Sequence, residues 1–122
     1  MMHARAANAY KNVDLESAPK HVVLERFFER FARDVAQARD AIVVHDIQRK
    51  ANALDHALRI VGELTAALDH AMAPELCGNL AALYDYVSDR LATSNRTLEL
   101  EPLDEAARLM AEIGSAFREV SR

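Results

Sequence analysis

The sequence predicts an all-α protein: an antiparallel up-down-up-down four-helix bundle with an N-terminal arm or short cap helix. Two observations carry that expectation. Alanine and leucine dominate, glycine and proline occur three times each and tryptophan not at all, a mixture that favours helix and leaves strands little to build from. Apolar side chains also recur at three- and four-residue spacing through four stretches parted by short breaks, and short breaks turn successive helices back on each other. At 122 residues the chain fits one domain, 1–122, divided into a docked arm over 1–16 and a bundle over 17–122. That length buries a proper core without a metal or a disulfide.

Each element follows from local chemistry. The first 16 residues lack a sustained period, yet Tyr10, Val13 and Leu15 put apolar side chains into a polar tail, so the tail is expected to rest on something. Ser17 suits an N-cap, and Pro19 falls in the first turn, where a missing N–H is harmless. The first helix then runs to about Val44 on a spine of Leu24, Phe28, Phe31, Val35, Ala38 and Ile42, widened by Val23 and Phe27. Asp46 can cap the second, which carries Ile47, Ala51, Leu54, Leu58, Val61 and Leu68 on one stripe and Ala57, Ile60, Leu64 and Ala67 beside it. More than the usual third of that helix is apolar. Ala73 and Pro74 break the chain, and Glu75 to about Asn95 forms the third helix, with Leu76, Leu80, Leu83, Val87 and Leu91 inward and Tyr84 on the flank. Residues 96–101 read as a connection. Pro102 sits in the first turn of the fourth helix, whose spine is Leu103, Ala106, Met110, Ile113, Phe117 and Val120.

Several chemistries lack the residues they need. A di-iron bundle places histidine three positions after an acid on one helix face, and no glutamate here has that neighbour; the five histidines stand singly and Cys77 has none nearby. Neither a metal nor a cofactor is expected. Phosphate loops gather several glycines, whereas Gly62, Gly78 and Gly114 each stand alone in a helical pattern and read as marks of close helix contact. Glu99 with Glu101, and Asp104 with Glu105, lie where acids complement a helix dipole. Cys77 beside Leu76 reads as a small core residue, and one cysteine allows no internal disulfide. The absence of a secretory pattern over Met1 to Tyr10 points to the cytosol, and no apolar run approaches the roughly 20 residues of a membrane span. The charge of -4 is spread along the chain without a basic cluster, which argues against nucleic acid.

His56-Ala57-Leu58-Arg59 resembles the start of the histidine phosphotransfer motif, which also sits on a helix of a small bundle. That motif needs glycine directly after the basic residue to admit a partner's aspartyl phosphate. Ile60 fills the place here, so the plainer reading is a solvent-facing histidine beside Asp55.

Between Glu75 and Asn95 the third helix carries Asn79-Leu80, Leu83-Tyr84-Asp85-Tyr86, Arg90-Leu91 and a closing Asn95, which together resemble the signature of the FliS family of flagellin export chaperones. Further pieces align in the same order: Phe27-Phe28-Glu29, Ala38 to Ile42 with Asp46, Ile60 to Leu64 through Leu68-Asp69, Tyr10 and Val13 in the arm, and Ser17-Ala18-Pro19. The resemblance covers roughly residues 9 to 120. Arg30, Ala73-Pro74 and Phe117-Arg118 depart from the family's usual glycine, glycine pair and tryptophan-containing end, and so bear on groove shape and partner preference.

The resemblance implies a non-enzymatic cytosolic chaperone. It would bind the disordered C-terminal segment of new flagellin in an apolar groove, block premature polymerisation and deliver its client to the flagellar export apparatus, without ATP. An anti-sigma factor or a co-chaperone as a further partner, and a weak homodimer as the free state, stay open. Helix-in-groove recognition matches the over-apolar second helix. On this reading Leu54, Ala57, Val61, Leu64 and Leu68 of the second helix, with Leu80, Tyr84 and Val87 of the third, line the groove, and an arm bearing Tyr10 and Val13 covers it until flagellin arrives.

Overall fold

The computed structural model describes residues 20–120; the arm with Tyr10 and Val13 and the Ser17 to Pro19 helix start lie outside the described residues, as does the side chain of Val120. Four helices fill the described chain: α1 (Lys20–Val43), α2 (Ile47–Ala66), α3 (Pro74–Thr97) and α4 (Leu100–Val120). Helix α1 packs on α2 and α4, and α3 packs on α4 and α2, with the α1–α2 contact the most extensive and α2–α3 the least. Partners rise along one helix as they fall along its neighbour: Phe28 and Arg39 on α1 meet Gly114 and Asp104 on α4. Neighbours are therefore antiparallel, and the chain is an all-α four-helix bundle.

The core follows the expected spines with adjustments, and Leu58, Leu76 and Ile113, expected inward, are only half-buried against it. Every spine residue of α1, from Leu24 to Ile42, is buried, as are Leu103, Ala106, Met110 and Phe117 of α4. On α3 the inward stripe is Cys77, Leu80, Tyr84, Val87, Leu91 and Ser94, so Tyr84 is 0% exposed and Leu83 is 39% exposed, the reverse of the expectation. Successive helical residues point about 100° apart, and turning the larger aromatic inward sends Leu83 to the edge that faces α4. Ile47, expected on the inner stripe of α2, is 55% exposed because it precedes the first buried layer, formed by Lys50, Ala53 and Leu54.

The two ends of the bundle are built differently. Helix α1 ends in a left-handed His45 (φ 62°), with His45 N–H donating to Ile42 O at 3.2 Å and Asp46 N–H to Ala41 O at 2.8 Å, the paired bonds of a Schellman turn. Asp46 then caps α2, its Oδ1 accepting Arg49 N–H at 3.1 Å. The connection expected over 96–101 shrinks to Leu98 and Glu99, since α3 runs on to Thr97 and α4 starts at Leu100. A left-handed Leu98 (φ 63°) makes this possible: its N–H donates to Ser94 O at 2.8 Å, Ser94 Oγ donates to Glu99 O at 2.7 Å, and Glu99 N–H donates to Thr97 Oγ1 at 3.2 Å. Nearby, Lys50 on α2 is only 7% exposed and its Nζ donates to Asn95 O at 3.0 Å, where helix carbonyls lack partners and the dipole is negative. At the other end, α2 and α3 are joined by the longer connector 67–73, and Ala73 offers α3 no side-chain cap.

Of the three glycines, one marks close helix contact and two do not. A Cβ on Gly114 would lie 3.1 Å from Phe28 Cγ and 3.3 Å from its Cβ and Cδ1, and Phe28 is itself held against Phe117 with ring centroids 5.6 Å apart. A Cβ on Gly62 or Gly78 would meet nothing within 4 Å. Alanine exceeds glycine in helix propensity by about 1 kcal/mol, whereas overpacking a core costs about 1 to 3 kcal/mol. Urea denaturation should therefore show Gly62→Ala and Gly78→Ala each stabilising the chain by about 0.5 to 1 kcal/mol, and Gly114→Ala destabilising it by about 1 kcal/mol. A stabilised Gly114→Ala chain would show that Phe28 yields freely.

Candidate partner-binding seam

The side chains expected to line a groove all turn inward. Leu54, Ala57, Val61, Leu64 and Leu68, with Leu80, Tyr84 and Val87 opposite, are all buried in the core cluster. They belong to the core shared by the four helices and are not an open surface. The outer edge of the seam is legible from the other contacts. His56 reaches Asp34 and so marks the α1 side of α2; Leu58 and Thr65, half-buried on the opposite edge, face α3. Tyr86 and Arg90 reach α4, so half-buried Ala81 and Ser88 occupy the α2 side of α3. Exposed Gly62 and Gly78 lie just outside these residues. The seam thus has an apolar floor under rims of mostly small side chains. Leu58, expected on the inner stripe of α2, sits on this edge, and the sequence analysis did not single out Thr65, Ala81 or Ser88, whose signal was their place beside the buried stripes.

Charged side chains tie helices together around the bundle. Arg39 on α1 holds Asp104 on α4 through Nε at 3.0 Å and Nη2 at 3.4 Å, a bidentate contact that raises the guanidinium pKa, first through the hydrogen bond and then through charge. Between α3 and α4, Tyr86 Oη donates to Glu105 Oε2 at 2.8 Å. Arg90 Nε stands 3.3 Å from Glu105 Oε1, close enough for charge pairing but not aligned as a hydrogen bond. The bond to Glu105 pushes the Tyr86 phenol above its ordinary pKa, and desolvation and the glutamate charge add to it. These acids, read from sequence as dipole partners, are thus also interhelical ties. His56 Nδ1 lies 2.5 Å from Asp34 Oδ2; Asp55, expected beside it, pairs instead with Arg59 at 2.6 Å. Ile60, in the glycine position of the phosphotransfer pattern, points into the core.

Cys77 is buried at the start of the α3 stripe, and desolvation raises its thiol pKa against an opposing hydrogen bond with the Asp69 backbone. A thiol held protonated is a poor nucleophile and metal ligand. Among the described residues no group of three or more histidines, cysteines and acids gathers to hold a metal, and no helix is long and apolar enough to cross a membrane.

The sequence matches known proteins over nearly its whole length. The family model described as "Flagellar protein FliS" matches residues 2–122. The chain is 31% identical to "Flagellar secretion chaperone FliSB" of Pseudomonas aeruginosa over 99% of both chains. It is 30% identical to "Flagellar secretion chaperone FliS" of Salmonella typhimurium, covering 99% of this chain and 93% of the relative, and 27% identical to the Escherichia coli protein of the same name, covering 98% and 91%. A model match over nearly the whole chain, and relatives of matching length at this identity, place the protein in the FliS family, a family of flagellar secretion chaperones and not of enzymes.

Proposed function

We propose that this chain binds the disordered C-terminal segment of flagellin along the α2–α3 seam, keeps it from polymerising and carries it to the flagellar export apparatus in the bacterial cytosol. The observation that carries this reading is the seam itself. Apolar residues run along both of its helices, from Leu54 to Leu68 and from Leu80 to Val87, and half-buried Leu58, Ala81 and Ser88 flank these stripes. An amphipathic segment laid on such a surface takes the helix-in-groove mode. Ordering a disordered client costs roughly 2 to 5 kcal/mol, so a long contact is needed, and the seam runs much of the length of α2, about 30 Å. The phosphotransfer reading of His56 has lost its ground. The relatives are chaperones, and the imidazole is engaged by Asp34.

Calorimetric titration with a peptide from the C-terminal end of the same organism's flagellin should give saturable binding, while a response regulator should leave His56 unphosphorylated. A silent titration contradicts the reading. Placing charge on the rim, Leu58→Glu with Ala81→Arg, should weaken the peptide at least tenfold while helical circular dichroism is kept. Equal affinity would move the site off this seam.

We also propose that the arm bearing Tyr10 and Val13 competes for the same seam, since a bare apolar groove promotes self-association. Deleting residues 1–16 should tighten peptide binding or shift the chain toward dimer on a sizing column; no change in either would remove the arm from the scheme.

A further inference from the structure

We propose that the α2–α3 corner, from about Gly62 to Leu80, opens as a unit while the opposite end of the bundle stays closed, so that the buried floor of the seam becomes accessible by a hinge and not by global unfolding. The proposal rests on the unequal construction of the two ends. At the closed end Asp46 caps α2, a Schellman turn ends α1, Ser94, Thr97 and left-handed Leu98 close the α3–α4 turn, and Lys50 Nζ ties α2 to Asn95 O. That last bond joins the two helices where they would pivot.

At the corner these devices give way to weaker ones. Helix α2 ends on Ala67 in an ordinary right-handed conformation, without the left-handed residue that closes the α1 and α3 ends. Helix α3 starts from Ala73 with no side-chain cap. Among the described residues the backbone bonds of connector 67–73 stay local: Ala67 N–H to Glu63 O, Leu68 N–H to Thr65 O, Met72 and Ala73 N–H to Asp69 O, and Cys77 N–H to Ala73 O, with Leu68 also in an isolated bridge. The Cys77 thiol likewise meets the Asp69 backbone. These local bonds tie the connector to the ends of α2 and α3 and not to the described residues of α1 or α4. Each helix also carries a glycine near this end, Gly62 and Gly78, facing open space, so each loses helix propensity and gains no packing in return. The α2–α3 contact is the least extensive of the four. Fewer caps and lower propensity, in the helix pair with the least extensive contact, are the physical marks of a segment that opens below the global unfolding free energy. Opening exposes Leu64, Leu68, Cys77 and Leu80 together. Its use in capturing flagellin rests on the function proposed above; the motion itself does not.

Cys77 is the one cysteine in the chain and lies buried inside the corner, so it reports the opening. The full chain is labelled with a thiol-reactive disulfide in rising, sub-denaturing urea, beside a Cys77→Ala chain carrying Ala53→Cys, a buried position toward the closed end of α2. Cys77 should react at least tenfold faster and with a weaker urea dependence than Cys at 53, and Gly62→Ala with Gly78→Ala should slow it severalfold. Hydrogen exchange of the unsubstituted chain gives the same comparison without new cysteines: amides of 62–80 should exchange faster than those of 47–57 and 90–97. Equal labelling with equal urea dependence, or equal exchange at the two ends, overturns the proposal. Both readouts use the free chain, so failure of a flagellin peptide to bind counts against the proposed function alone.

Discussion

The hydrogen bond from Lys50 to the Asn95 carbonyl is the contact on which the geometry of the seam depends. A lysine buried to 7% exposure is expensive unless its ammonium finds oxygen, and the last turn of α3 supplies carbonyls with no partners in their own helix. Burying Lys50 therefore fixes both where α2 lies along α3 and where α3 stops. The turn that follows is just Leu98 and Glu99, so α4 is placed by the same end of α3. From there Asp104 reaches Arg39 and Glu105 reaches Tyr86 and Arg90. The register of three helices is thus traced to one corner.

Away from that corner, close packing takes over. Gly114 lets α4 approach Phe28 as near as backbone allows, and the Phe28–Phe117 pair fills the space between α1 and α4. This fixes one side of the bundle by shape, and the polar ties to Asp104 and Glu105 fix its surface. The α2–α3 side has a continuous apolar floor but glycines on its rims. The α1–α4 side is thus fixed by shape, whereas the α2–α3 contact is the least extensive of the four.

Much of this was legible in the sequence because helical periodicity and caps are local signals. The α1 spine, the Asp46 cap and Pro102 in the first turn of α4 each depend on residues within a few positions. What was hidden depends on partners distant in sequence. Tyr84 and Leu83 are neighbours with similar propensity, and only the facing helices decide which turns inward. The two-residue α3–α4 turn was invisible because a leucine takes the left-handed position that glycine usually signals. The pairing of His56 with Asp34 rather than Asp55 is a fact of helix packing, as is the difference between Gly114 and the other two glycines. The residues expected to line a groove lie in the core, a depth the sequence did not reveal, since periodicity gives direction without telling how closely a neighbour covers it.

Depth is where stability and binding come into conflict. A seam filled completely by its own side chains is the more stable free protein, yet it offers a client nothing; a seam left open invites self-association. Putting the apolar residues on the floor, with a poorly capped corner above them, resolves the conflict kinetically. In the opening proposed above, the closed state would protect Leu64, Leu68 and Leu80, and a partner would gain access through a local opening whose free energy is set by caps and glycines at one corner. Glycine at 62 and 78 then makes physical sense although neither touches another helix: each lowers the stability of the segment that must move and leaves the Lys50 end, where the fold is registered, unaffected.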